Sequence, residues 1–363
     1  LVLDKVRSNV KDVSTYEQGK TVEDIKREFG LERIAKLCFN ENPYAPYPSC
    51  LEAVENELAS LNHYPDENYL EVKRLIGGKV GLEKENIALG HGAVGILETL
   101  SKLFIEEGDE VIIPKMTFGL YEELSKTLGG IITKPALTNN RIDLENILAE
   151  VTDKTKVVWL CNPNNPTGTI LQKDELENFL AELPERVWVI LDEAYYEFVT
   201  TVEYPEIADI LAENKNVVSV RTFSKAYGMA GLRLGYALAV PEVIEAIKRI
   251  SQPFNVNRAA LAGAKGILNN GRYFKEAVNK IEKSREHLTL KLQELGCEVA
   301  PSQTNFVFFR TSYPTEKIAQ ELLHRGVMVA SGERWSDDRA IRVSIGTPQE
   351  NKKFLTGLRE ILS

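Results

Sequence analysis

The chain has 363 residues and is 43% hydrophobic, long enough for a large core plus a second, smaller domain. A formal net charge of −9 argues against a nucleic-acid or acidic-membrane partner, and solubility alone accounts for it. Cys38, Cys50, Cys161 and Cys297 lie far apart without a Cys-x-x-Cys pair, so they read as reduced cytosolic thiols and no metal site is expected. No apolar stretch approaches a membrane span and no signal peptide opens the chain, so the expected location is cytoplasmic. The first residue is Leu, so an initiator and a few residues are expected to precede it.

Residues 1–45 read as an arm, with an amphipathic stretch from Thr21 to Gly30 and a strand from Ile34 to Phe39. From about residue 46, helical patterns alternate with short apolar strands, the rhythm of a doubly wound α/β sheet. Asn86 to Leu89 reads as a strand and Ile96 to Phe104 as a helix, with Gly90-His91-Gly92-Ala93-Val94-Gly95 between them. That spacing matches a dinucleotide fingerprint and allows a nicotinamide dehydrogenase. The next strand, Val111 to Ile113, ends in Pro114-Lys115, while Asp109 and Glu110 stand at its start; the ribose-binding acid belongs at the other end. The physics is kept and the ligand changes: amides at a helix N-terminus cradle a single phosphate.

Three further strand-to-loop junctions follow. Val157 to Cys161 stops at Asn162-Pro163-Asn164-Asn165-Pro166-Thr167-Gly168, an irregular turn forced by two prolines and a glycine. Val187 to Leu191 ends in Asp192-Glu193-Ala194-Tyr195, and Val217 to Val220 leads to Ser224-Lys225 and on to Arg233. Buried parallel strands carry functional residues at their carboxyl ends, so Asn165, Asp192 and Lys225 are expected in one crevice. An acid, an amide, a phenol and a lysine together suit a pyridinium aldehyde: lysine for a Schiff base, carboxylate for the ring nitrogen, amide and phenol for the ring hydroxylate. A helix starting after Pro241 and a charged helix from about Tyr273 to Leu295 come next. The tail from Val299 mixes strands and helices, an α+β lobe against which the arm is expected to pack.

Nearly end to end, the chain resembles a fold-type I pyridoxal-phosphate aminotransferase of class I/II, and within it the histidinol-phosphate aminotransferase subfamily. The resemblance rests on Tyr16 to Lys20, Asn40-Glu41-Asn42-Pro43, Tyr64-Pro65-Asp66, Asn162 to Gly168, Asp192 to Tyr195, Ser224 to Gly235 and Ile341 to Thr347. It implies a large domain over 46–270 with a mostly parallel, seven-stranded doubly wound sheet. A small α+β domain would be built from 1–45 plus 271–363. It implies pyridoxal 5'-phosphate, with Lys225, Asp192 and Tyr195 catalytic. Gly92, Ala93, Val94, Ser224 and Arg233 would hold the phosphate, and Phe118 would stack on the ring. Tyr64 would reach the phosphate from the partner subunit, making a homodimer with shared sites. The family often carries polar side chains where this chain has Ala93, Val94 and Gly95, which leaves more of the task to backbone amides.

The implied reaction is ping-pong transamination through an internal aldimine on Lys225, between histidinol phosphate or an aromatic amino acid and 2-oxoglutarate. A decarboxylase of the threonine-phosphate type would use the same constellation to break a different bond, and a non-catalytic binding module is a third class. Arg342, with Tyr16 and Asn165, would hold the substrate anion. The subfamily's second arginine has Ala330 in its place, which shifts weight toward an amino acid donor. Arg334 and Arg258 are candidate substitutes, although each reads equally as a solvated surface charge.

Overall fold

The computed structural model describes residues 7–11, 13, 21–66 and 68–363. Numbered along the chain, its strands are β1 (Ala35–Lys36), β2 (Ile87–Gly90), β3 (Glu110–Ile112), β4 (Ile131–Thr133), β5 (Thr155–Cys161), β6 (Trp188–Asp192) and β7 (Val217–Thr222). They continue with β8 (Gly235–Leu238), β9 (Glu298–Val299), β10 (Phe306–Arg310), β11 (Val327–Met328), β12 (Ala330–Ser331) and β13 (Ala340–Ser344). One sheet has the order β2-β8-β7-β6-β5-β3-β4. Its neighbours are parallel except where β8 meets β2 and β7.

The central strands read as unbroken apolar runs because both faces of the sheet are covered. Side chains alternate between two cores. Val158, Leu160, Val189 and Leu191 enter one, while Val157, Trp159, Ile190 and Val220 enter the other. The second core also takes the buried stripe of helix Gly92–Phe104, which begins four residues earlier than its apolar pattern suggested. Gly92 supplies the positive φ, +82°, with which that helix opens.

A four-stranded antiparallel sheet, β12-β13-β10-β9, gathers the third core with helix Arg272–Glu294 and the C-terminal helix Pro348–Leu362. The arm joins it: Ala35 pairs with Val327 in the parallel β1–β11 ladder. Thr21 and Asp24 form a capping box that starts helix Val22–Phe29, and Gly30 ends it in the left-handed region. The strand expected over Ile34 to Phe39 is only two residues long. The Leu37 amide donates to Met328, but its carbonyl accepts from Ser344, so the chain changes partners and turns into the crevice. Among the described residues no helix is long and apolar enough to cross a membrane.

Candidate active site

Parallel pairing sets Asp192 of β6 beside Cys161 of β5 and Val220 of β7, so three strand ends open at one level. The turn after β5 is pinned by its own amides. Asn162 exchanges hydrogen bonds with Leu171, and the Asn164 side chain donates to Met116 and Thr167 while accepting from Thr117, at 2.9 Å each. Asn165 is left to face the crevice, where its oxygen accepts from Arg342 at 2.5 Å. The loop after β7 is held from the arm: the Ala226 carbonyl accepts from Asn42 and from the Tyr47 hydroxyl, both at 2.8 Å. Gly228 packs so tightly there that a β-carbon would stand 2.1 Å from that of Ala45.

A cradle is formed where the start of helix Gly92–Phe104 meets Arg233 and Ser224, next to Lys225 in sequence. The Arg233 guanidinium fills the space a Gly92 side chain would need, 2.4 Å from the missing β-carbon, and Gly235 abuts the Ala93 amide just as closely. Arg233 donates to the Ser224 hydroxyl at 3.2 Å and to the Ala230 carbonyl at 2.9 Å. A guanidinium, a hydroxyl and the first amides of a helix therefore meet at one point, a ready anion site.

Burial dominates the charges nearby. It raises the Asp192 carboxyl to about 6, against hydrogen bonds from the Tyr121 hydroxyl at 2.7 Å and the Ala194 amide at 3.1 Å. It lowers the Lys225 amine to about 8, helped by the Arg342 and Arg233 charges. That amine donates to the Phe39 carbonyl at 2.8 Å and lies 5.9 Å from the centre of the Tyr195 ring. Burial pushes the Tyr195 phenol up, and its oxygen accepts from Asn40 at 2.9 Å.

Arg342 of β13 closes the crevice. Besides Asn165 it donates to the Cys38 carbonyl at 2.6 Å, and its guanidinium carbon lies 5.4 Å from the centre of the Trp335 indole. Ala330 is buried opposite Arg342 in the β12–β13 ladder. Arg334 is exposed. Arg258 is occupied by Glu57 and the Tyr64 carbonyl. Tyr64 is 77% exposed and stacks on Phe254 with ring centres 4.6 Å apart. Tyr16 lies outside the described residues. Among the described residues no group of three His, Cys, Asp or Glu could hold a metal ion.

Two residues to which the motifs assign no role complete the arrangement. Tyr121, fully buried, stacks on Trp159 at 4.8 Å and meets Phe118 edge-on at 5.5 Å, so one ring links Phe118 to Asp192. Its place three residues after Phe118 looks like ordinary core packing. Asn40 ties Tyr195 to Ser344 and, through its carbonyl, to Asn305. Its signal was the Asn-Glu-Asn-Pro run, which carries no chemistry by itself. The cradle beside Gly92, the buried carboxyl and a lysine able to lose its proton fit a phosphorylated pyridine aldehyde.

The family model Aminotransferase class I and II matches residues 32–358. The histidinol-phosphate aminotransferase of Moorella thermoacetica is 37% identical over 360 residues, 99% of this chain and 93% of that protein. Histidinol-phosphate aminotransferase 2 of Carboxydothermus hydrogenoformans is 38% identical over 358 residues, covering 98% and 99%. The crystal structure of histidinol-phosphate aminotransferase from Sinorhizobium meliloti in complex with pyridoxal-5'-phosphate superposes with a TM-score of 0.89 at 28% identity. That match covers 99% of this chain and 97% of the other.

Proposed function

The chain belongs to the class I and II aminotransferases, and from that premise we propose that it moves the amino group of histidinol phosphate to 2-oxoglutarate. As a member it is a pyridoxal-phosphate-dependent transaminase. The observation that carries the donor is kinship over essentially the whole chain with proteins named for that donor.

When bound, the cofactor supplies the electron sink for the carbon that loses its proton. The chain's own residues do the rest. Ser224, Arg233 and the amides of Ala93 and Val94 would hold the phosphate, and Phe118 would cover one ring face. Asp192, ionised above about pH 6, would keep the ring nitrogen protonated, with Tyr121 fixing its orientation. Asn165 and Tyr195 would donate to the ring oxygen. Lys225 would hold the aldehyde carbon and, once freed, carry the proton at the donor's α-carbon; a value near 8 leaves part of it uncharged at neutral pH. Arg342 would grip an anion with its planar fork. Amino donor and 2-oxo acid would use one crevice in turn, giving ping-pong kinetics. The exposed Tyr64 fits a second copy lending its hydroxyl to the phosphate.

Ala330 favours a second reading, an aromatic amino acid as donor, because one guanidinium holds a dianion less well than two. Arg334 supports the first reading, since it precedes Trp335, whose ring lies 5.4 Å from the Arg342 guanidinium carbon. Single-turnover mixing with histidinol phosphate and with phenylalanine, read as loss of the cofactor's visible band, separates the two. Faster reaction with phenylalanine at equal concentration would sink the histidinol-phosphate assignment.

A further inference from the structure

Tyr195 can serve a ring oxygen only if its own proton points into the crevice. A phenol both donates and accepts, so its placement alone leaves the sense of its hydrogen bonds open. The ring itself is fixed: it is buried and meets Phe306 edge-on, with ring centres 5.0 Å apart. What remains is the rotation of the hydroxyl, and among the described residues its one hydrogen-bond partner is Asn40.

Asn40 is buried, with φ +56°, in the left-handed region that asparagine tolerates better than most residues. Each of its polar groups is engaged. Its carbonyl accepts from the Asn305 side chain at 2.9 Å, and its backbone amide donates to the Ser344 hydroxyl at 2.9 Å. A backbone amide can only donate, so the Ser344 oxygen accepts there and its single proton must go elsewhere. That proton goes to the Asn40 side-chain oxygen, 2.8 Å away. With Oδ1 accepting from Ser344, the other end of the same amide, Nδ2, faces Tyr195 at 2.9 Å. Nδ2 only donates, so the Tyr195 oxygen accepts. Flipping the Asn40 amide would leave the buried Ser344 proton without an acceptor, which is costly.

We propose that Asn40 is a positioning residue: through Ser344 it fixes the hydrogen bond to Tyr195 in one sense, so that the Tyr195 hydroxyl can only donate into the crevice. The inference rests on the reading given above, in which Tyr195 donates to the ring oxygen of the cofactor. A hydroxyl that accepts one bond is also a better donor in the next, so Asn40 strengthens that contact as well as aiming it. Ser344 lies two residues beyond Arg342 on β13, and Tyr195 lies three beyond Asp192. The relay therefore joins the strand that carries Arg342 to the loop that follows Asp192.

Donation by Tyr195 has a spectroscopic signature. In holoenzyme one proton is shared between the nitrogen that joins Lys225 to the cofactor and the ring oxygen. A donor to that oxygen stabilises the form that has lost the proton, which holds down the pH at which the visible band shifts. The test is a spectrophotometric pH titration of holoenzyme with no substrate present. Tyr195→Phe should move the midpoint up by about one unit or more, and Asn40→Ala by about half a unit or more. Asn40→Asp keeps the size and suits the same backbone, but its carboxylate accepts from Tyr195, so it should raise the midpoint at least as far as Asn40→Ala. In the Tyr195→Phe background Asn40→Ala should add less than about 0.3 unit, because its route to the cofactor is gone. Ser344→Ala keeps Asn40 but frees its amide to flip; it should give a smaller rise, and it carries the test if the Asn40 variants do not fold. A midpoint that stays in place in these variants while Tyr195→Phe moves it would overturn the role of Asn40. So would an equal rise with and without the Tyr195 hydroxyl, which a merely structural Asn40 would give. A midpoint that Tyr195→Phe itself leaves unmoved would instead sink the reading of Tyr195, and this inference with it.

Discussion

Lys225 and Arg342 face the same crevice, yet they are held there in different ways. At the Lys225 end three neighbouring parallel strands bring Cys161, Asp192 and Val220 to one level by register, and the arm steadies only the loop that follows, through Asn42 and the Phe39 carbonyl. The Arg342 end is assembled from segments far apart in the chain: Cys38 of the arm, Asn165 of the turn after β5, and β13. A sheet fixes geometry through backbone hydrogen bonds, whereas the Arg342 end depends on how the small sheet and the arm dock. In the proposed reaction, chemistry common to any amino donor would therefore sit on the rigid side, and donor choice on the side that substitutions can remodel.

The sharpest way to break that division is Lys225→Ala. It should lose transamination by about three orders of magnitude or more, because covalent attachment and the α-carbon proton carrier go together. It should still take up the cofactor without a covalent bond, through the cradle at Arg233 and through Asp192. Peptide mapping after borohydride should find the label on Lys225 in wild type and nowhere in the variant. A label elsewhere in wild type would move the site.

Titration gives the next largest effect. Capture of cofactor by cofactor-free protein needs Asp192 ionised and Lys225 uncharged, and burial sets these groups at about 6 and about 8. The rate should climb through both values and level off above the second. Between pH 8 and 6 the uncharged lysine fraction alone falls about fifty-fold. A flat profile across that window would remove Lys225 as the capturing amine. Stability of the cofactor-free protein should run the other way for Asp192. Its folded value lies above the ordinary 3.8, so the ionised form is disfavoured in the fold and stability is gained as pH falls through about 6.

At the other end of the crevice, Arg342→Lys keeps the charge and loses the fork. It should raise KM and lower kcat/KM for every anionic donor by about tenfold or more. Ala330→Arg sharpens the comparison because it should discriminate between donors. If Arg334 does not already serve, the added guanidinium should improve histidinol phosphate about tenfold, the range of a charge-assisted bond, and leave phenylalanine nearly unchanged. Should Arg334→Ala abolish use of histidinol phosphate in otherwise wild-type enzyme, Arg334 is the second cation and Ala330→Arg should add little.

The same division explains what could be read from the chain. Asn165, Asp192 and Lys225 each end an apolar run in a polar turn, and one rule about parallel strands brings them together. The donor end offers no such rule. Asn40 bonds Ser344 across 304 positions, and nothing local to either residue announces it. Trp335 stands in a short turn, Gly332–Trp335, whose aromatic reads as an isolated surface ring until β12 and β13 pair. Tyr121 carries no sequence signal for a further reason: a buried tyrosine on a helix is ordinary until the carboxylate under its hydroxyl is seen.

The smallest expected effect concerns Tyr64, which belongs to neither end within one chain. Its side chain is 77% exposed and stacks on Phe254. If a second copy uses it, Tyr64→Phe removes one phosphate hydrogen bond among several. Cofactor retention should then weaken by on the order of 1 kcal/mol, about fivefold, in dialysis against buffer. That change is small, so the decisive measurement mixes chains. Each half of a Tyr64→Phe and Lys225→Ala heterodimer carries a different lesion. With a shared site, the pocket on the Tyr64→Phe chain keeps its own Lys225 and borrows an intact Tyr64, so it should recover wild-type cofactor affinity. The other pocket collects both defects. Sites built wholly within one chain would give the average of the two parents, and that average would end the case for a shared site.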